Sequence, residues 1–186
     1  RSVGLPDIKR LANHLRKPND FARVVFELAD LLGLMVLQNG RWSLGSAAEH
    51  WIGTDTKERW MMLARAWRTS LGDHGSSELL AEMRRLGGAS ASLEKLLELT
   101  YPLADSAVES HIQRLVRYAD LIGIAVHSQP ASWFEAVLKS DFDSASTASI
   151  AARRPLSHSD HDALIETSHE SFHSLVRGKM RAFGRP

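Results

Sequence analysis

"LMVLQNGRWSL", residues 34–44, decides the fold. Asn39-Gly40 supplies two neighbouring residues that tolerate positive φ, which a two-residue type I′ turn demands. Strand-favouring residues stand on both sides, so the stretch predicts a hairpin turning at Asn39-Gly40. Upstream, "LPDIKRLANHL" places Ile8, Leu11, Ala12 and Leu15 at helical spacing. Pro18 and Asn19 break that helix. A second helix runs through Phe21, Val24, Val25, Leu28 and Leu31, with Asn19 or Asp20 as its cap and Gly33 as its stop. Helix, helix, hairpin is the order of a winged helix-turn-helix. Downstream, Asp55 and Glu58 stand as a capping box. Trp60, Leu63, Ala64 and Trp67 then line one helical face, and "LGDHGSSE" is a Gly/Ser break.

The second half repeats the first. "ADLLGLMV" at 29–36 matches "ADLIGIAV" at 119–126, and Trp42 and Trp133 fall at similar distances beyond each copy. The competing explanation is that Leu-rich helices ending in Gly resemble one another. In the second copy "HSQPASWF" replaces the Asn-Gly turn, so that wing is expected to be degenerate, with Pro130 opening a new helix. The expected fold is mainly α: tandem winged-helix-like units with a C-terminal helix. Its divisions are 1–72, a winged unit with its Trp-rich helix; 73–139, a second, degenerate unit; 140–157, a small, polar linker; and 158–186, a His-rich helix.

The 186 residues suffice for one large domain or two small ones. Hydrophobic residues at 44% and charged residues at 24% are ordinary for a water-soluble fold, and a net charge of +1 exerts no global pull on nucleic acid or membrane. Without Cys, disulfides and thiolate zinc sites are excluded. No apolar run has the length of a membrane span, so no membrane partner is expected. The absence of Cys fits a reducing cytoplasm, the expected location. The first residue is Arg1, and the chain reads as part of a longer protein.

"HESFH" at 169–173 has the H-E-x-x-H form of zinc hydrolases, in which two His one turn apart hold zinc and the Glu acts as base. A third ligand is missing. "SLVRGKMRAFGRP" follows with no Asp, Glu or His, and Val176 and Lys179 stand where the extended motif needs Gly and His. His158, His161, Asp162 and Glu166 lie upstream. Any metal would fall to His169, His173 and Glu166, but no metal, cofactor or catalytic residue is expected. A zinc-dependent hydrolase is the most distant alternative. "RGKM" at 177–180 lacks the rest of a phosphate-binding loop, and no dinucleotide or nucleophile-elbow motif occurs.

A winged helix sets its second helix in the major groove and its wing against the backbone. The candidate DNA-binding residues are therefore Lys9, Arg10, Arg16, Lys17, Arg23 and Arg41, with Arg114 and Arg117 in the second copy, where Gln113, Glu109 and Asp120 accompany them. Asp20, Glu27 and Asp30 oppose them on the first copy's second helix. Weak, largely sequence-independent binding of double-stranded DNA is expected. The alternative is a docking scaffold for protein partners, or for the remainder of its own chain, without DNA contact.

Residues 5–128 resemble the actinobacterial helicase-associated proteins that carry an XPB-type helicase C-terminal-like region. The stretches that carry the resemblance are "ADLLGLM", "AAEHWI", "ERWMMLARAW" and, later, "RYADLIGIAV". The resemblance implies a non-catalytic module linked to DNA transactions and transfers no active-site residue.

Overall fold

The computed structural model describes residues 3–86, 91–101 and 106–153. Among them the chain is mainly helical, with two small antiparallel hairpins. The described residues fall into two compact units, one ending at Arg59 and one beginning at Trp60.

In the first unit, α1 (Leu5–Leu15) buries Ile8, Leu11 and Ala12, the stripe its spacing predicts. It ends at Arg16, in the left-handed region at φ 53, from which the chain turns into α2 (Asn19–Leu31). Pro18, not Asn19 or Asp20, occupies the cap of α2, and no side chain bonds the free amides there. The ring sets the φ that the position needs without supplying an acceptor. Helix α2 buries Ala22, Val25, Phe26, Leu28 and Ala29. β1 (Met35–Gln38) and β2 (Arg41–Leu44) follow, paired Met35 to Leu44 through Gln38 to Arg41. The turn is Asn39-Gly40 at φ 50 and 74. Phe26 meets Trp42 edge to face at 4.7 Å, which fixes the hairpin on α2.

Helix α3 (Ala47–Gly53) closes the unit. Its last carbonyls would be orphans. Arg59 Nε donates to the Trp51 carbonyl at 2.9 Å and Nη2 to that of Ile52 at 3.1 Å, bracing the elbow into α4 (Thr56–Arg85). The Glu58 amide donates to Asp55 Oδ1 at 2.8 Å, so Asp55 caps α4 as its position predicts. The Gly/Ser stretch is a kink at Gly72 (φ 71, ψ 166), beyond which helical structure continues to Arg85.

The first expected domain, 1–72, therefore needs correction, because the Trp-rich helix belongs to the second unit. Trp60 Nε1 donates to the Ile122 carbonyl and Trp67 Nε1 to that of Leu115, both at 2.9 Å. Both acceptors lie on α6 (Ser106–Ile122), so the two helices run antiparallel with paired anchors. Each buried indole removes on the order of 200 Å² from water, or ~5 kcal/mol at ~25 cal/mol/Å². The net gain of each hydrogen bond is only ~1 kcal/mol, but a buried indole N–H left unpaired costs ~1–3 kcal/mol. Burial thus supplies the stability, and the hydrogen bonds select the register.

The second unit continues with α5 (Leu93–Thr100), capped by Ser92, whose hydroxyl accepts from the Lys95 amide at 3.2 Å. After α6 come β3 (Ala125–Val126) and β4 (Gln129–Pro130), then α7 (Phe134–Leu138). The degenerate wing is a shortened hairpin turning at His127-Ser128, φ 50 and 61. Pro130 does not open a helix as expected. It sits in β4 of a two-stranded sheet, an edge position that proline tolerates.

The expected linker at 140–157 is also corrected: α8 (Phe142–Arg153) occupies most of it. The Ser144 amide donates to Asp141 Oδ1 at 3.2 Å, the Arg65 guanidinium lies 5.2 Å from the Phe142 ring centre, and Ala145, Ser146 and Ser149 are buried. Small polar residues carry little helical signal alone, yet they permit close packing once a surface is there. The linker residues beyond Arg153 and the His-rich helix at 158–186 lie outside the described residues.

The repeat is structural as well as sequential. The Leu34 amide donates to the Ala29 carbonyl and that of Ile124 to Ala119, both at 2.8 Å, across Gly33 and Gly123 at positive φ. The chain then returns in the same way: the Gly45 amide donates to Leu34 and the Ala131 amide to Ile124.

Replacing Gly40 by Val tests the wing. A Cβ there meets nothing within 4 Å, so the penalty is purely conformational. A β-branched side chain at this φ should cost ~1–2 kcal/mol in chemical denaturation. Gly40→Asn should be nearly silent, and equal losses from both would show that the turn geometry is not responsible.

Candidate nucleic-acid interface

The solvent face of α1 is basic. Lys9, Arg10 and Arg16 are exposed, with Asn13 and His14 on the same side. Helical spacing explains the grouping on the helix, since positions 9 and 13 form one stripe and 10 and 14 the next. Arg10 approaches Asp7 at 3.7 Å, but both side chains are well exposed. Such a pair contributes little and leaves the guanidinium able to take another anion. Arg16 stands at the turn between the helices, where its left-handed backbone is held by the helix-ending bonds of α1.

The other candidates separate. Lys17 is half-buried, its Nζ 5.8 Å from the centre of the Phe21 ring. Arg23 is half-buried on α2. Arg41 opens β2 beside the turn, and its side chain is outside the described residues. Arg114 and Arg117 are exposed on α6, in the second unit.

Outward positions of α2 include Asp20 and Asp30, exposed, and Glu27, half-buried. Leu31 and Leu37 are 42% and 37% exposed. This helix presents carboxylates and apolar surface, so the positive charge of the first unit is concentrated on α1 and the turn. Charge counting by segment found the acids. It could not show that Arg16 stands at the helix end in a left-handed conformation, because that depends on where α1 stops.

On α6, Ile112, Leu115, Val116, Tyr118, Ala119, Leu121 and Ile122 are buried. Ser106, Ser110, Gln113, Arg114 and Arg117 are exposed, with Glu109 the one fully exposed acid of that helix. Asp120 turns toward the hairpin: the Ser128 amide donates to its Oδ1 at 2.8 Å and the Ser128 hydroxyl to Oδ2 at 3.4 Å. In the sequence Asp120 is one more acid beside the arginines, and nothing local signals this engagement. His111 sits half-buried beside Arg114. Burial pushes its imidazole below the ordinary value of 6.5, the Arg114 charge pushes the same way, and a hydrogen bond to the Ser70 backbone opposes both.

Among the described residues, no group of three or more His, Asp or Glu could hold a metal ion. His169, His173 and Glu166 lie outside them, as does the whole H-E-x-x-H string. No described helix is long and apolar enough to cross a membrane. Comparison of the chain with protein families, with curated proteins and with solved structures gives no match.

The His111 shift sets a pH dependence. Its folded-state pKa is below the unfolded value, so the unfolded chain binds the proton more readily in between. The stability contribution is present above about pH 6.5 and is lost as pH falls through the folded pKa. An NMR titration should place the His111 midpoint below 6.5, and Arg114→Ala should raise it part of the way back. A wild-type midpoint at or above 6.5 would contradict this account.

Proposed function

We propose that the chain is a non-catalytic, DNA-associated module that holds duplex DNA weakly and with little sequence preference. The observation that carries the reading is the exposed basic face of α1 and the turn, Lys9, Arg10 and Arg16, on a helix-turn-helix with a hairpin wing. In this architecture the first helix crosses the phosphate backbone and the wing reaches it from the side. Cations placed there position a duplex and carry no sequence information. The carboxylates of α2 keep its outward face from a strong groove contact, so affinity is low. The helicase association implied by the resemblance over residues 5–128, and a cytoplasmic location, belong to the same proposal.

A second reading has its own support. Leu31 and Leu37 expose apolar surface, with Asp20 and Asp30 on the same helix as Leu31. A protein partner with an apolar, basic surface would suit this side of the first unit.

Fluorescence anisotropy with a short duplex at several salt concentrations separates the two. Log affinity should fall with log salt by a slope of roughly −0.9 per phosphate neutralised. Arg41→Ala and the pair Arg16→Ala/Lys17→Ala should each weaken binding alike for unrelated sequences, and the slope should become shallower by about one unit for each phosphate no longer neutralised. Undetectable binding at low salt, or binding indifferent to these residues, would favour the docking scaffold.

A further inference from the structure

We propose that the second unit reads base edges: α6 enters the major groove of duplex DNA and contacts bases through Gln113, Arg114 and Arg117. The proposal rests on the duplex-binding reading above and adds sequence preference to it, at a different helix.

The place of α6 in the fold comes first. It is the second helix of the α5–α6 pair and runs directly into the β3–β4 hairpin, as α2 runs into β1–β2. That is the recognition position of a winged helix. Its inner face is used up by the core, with Trp60 and Trp67 both bonded to its backbone. Its outer face is exposed, and Ser106, Ser110, Gln113 and Arg117 fall on one stripe. Steps of four, three and four residues keep them within about 60° at about 100° per residue. Arg114 flanks the stripe on one side and Glu109 on the other. From Ser106 to Arg117 the helix rises about 16 Å at 1.5 Å per residue, close to five base pairs at about 3.4 Å each.

The chemistry of these side chains matches base edges. An Arg fork donates to O6 and N7 of guanine, and a Gln amide pairs with N6 and N7 of adenine. Serines at the stripe's N-terminal end are small and uncharged, so they permit close approach.

The two copies show where the divergence fell. Aligning 29–36 with 119–126 sets Asp20 against Ser110, Arg23 against Gln113, Val24 against Arg114 and Glu27 against Arg117. The helix of the second copy has lost the carboxylate of Asp20 but gained one at Glu109 opposite Asn19. It has exchanged Glu27 for a guanidinium and traded Arg23 for Gln, while gaining an Arg in place of Val24. The remaining shared acid differs in use. Asp30 is exposed, whereas Asp120 is drawn onto the shortened hairpin by the Ser128 amide and hydroxyl. Shortening the wing brings its turn within reach of that carboxylate and occupies it away from the groove. Base contacts thus fall to the second unit, and the backbone contacts proposed above to the first.

The test uses the full chain. Wild-type protein is used to enrich sites from a random duplex library, and affinities for the enriched and a scrambled duplex are then compared by anisotropy. An enriched site containing guanine and adenine is expected. Gln113→Ala and Arg117→Ala should each reduce the preference for it about tenfold, within the range that a bidentate base pairing supplies. Arg117→Lys keeps the charge but removes the fork, so preference should fall while the salt slope stays unchanged. Arg16→Ala/Lys17→Ala should weaken both duplexes equally. All these side chains are exposed or half-buried, and unchanged melting temperatures will show that the variants fold. No enriched sequence, or a preference untouched by Gln113→Ala and Arg117→Ala, overturns the base-reading role and leaves backbone binding by the first unit standing. No duplex binding at all overturns both.

Discussion

Both halves of the protein depend on one reversal of the chain, made where a helix ends in a left-handed glycine. At Gly33 and at Gly123 the amide of the residue after the glycine reaches back to the carbonyl of Ala29 or Ala119 at 2.8 Å. The bond satisfies a helix-terminal acceptor and turns the backbone sharply. Only then can the following residues leave the helix axis and pair as a hairpin. Leu34 and Ile124, the first residues past each turn, are wholly buried. They anchor the reversal in the core and also accept the return bond from Gly45 or Ala131. Helix end, hairpin and return strand thus form one mechanical element, used twice.

The second constraint is the antiparallel pairing of α4 with α6. Two indoles, spaced two helical turns apart, meet carbonyls with the same spacing on the partner helix. Their apolar bodies account for most of the stability, and their N–H groups reject any other register. Because the inner face of α6 is committed in this way, its Ser, Gln and Arg residues can face only outward. Core packing therefore selects which side chains are offered to a ligand.

The two copies use the same scaffold with different surfaces. On the first, the cations collect on α1 and the turn, α2 shows carboxylates and Leu31, and β1 shows Leu37. On the second, the helix in the same position carries Gln113, Arg114 and Arg117. A duplicated unit keeps its buried pattern because both cores need it, while its outward positions change at little cost to folding. Functional difference is thus to be sought on the outer faces of α2 and α6, not in the shared apolar spacing.

Local signals in the sequence determined α1 and α2 with their stops, the Asn39-Gly40 turn, the Asp55 cap and the repeat, but not α3. Each depends on residues within a few positions of one another: apolar spacing, a glycine at positive φ, a carboxylate before a helix. The candidate residues Lys9, Arg10, Arg16, Arg114 and Arg117 were legible as exposed charges for the same reason. Tertiary structure alone decided the rest. The Trp-rich helix could have packed in either half until Ile122 and Leu115 accepted its indoles. Helix α8 has almost no signal of its own, and its small residues become helical through burial. Pro130 reads locally as a helix start and becomes part of an edge strand because Ala125 lies opposite it. Asp120 reads as a repelling charge and becomes a clamp on Ser128. In each case the deciding partner is distant in sequence or lies beyond the local pattern, so its effect enters only when the chain has folded.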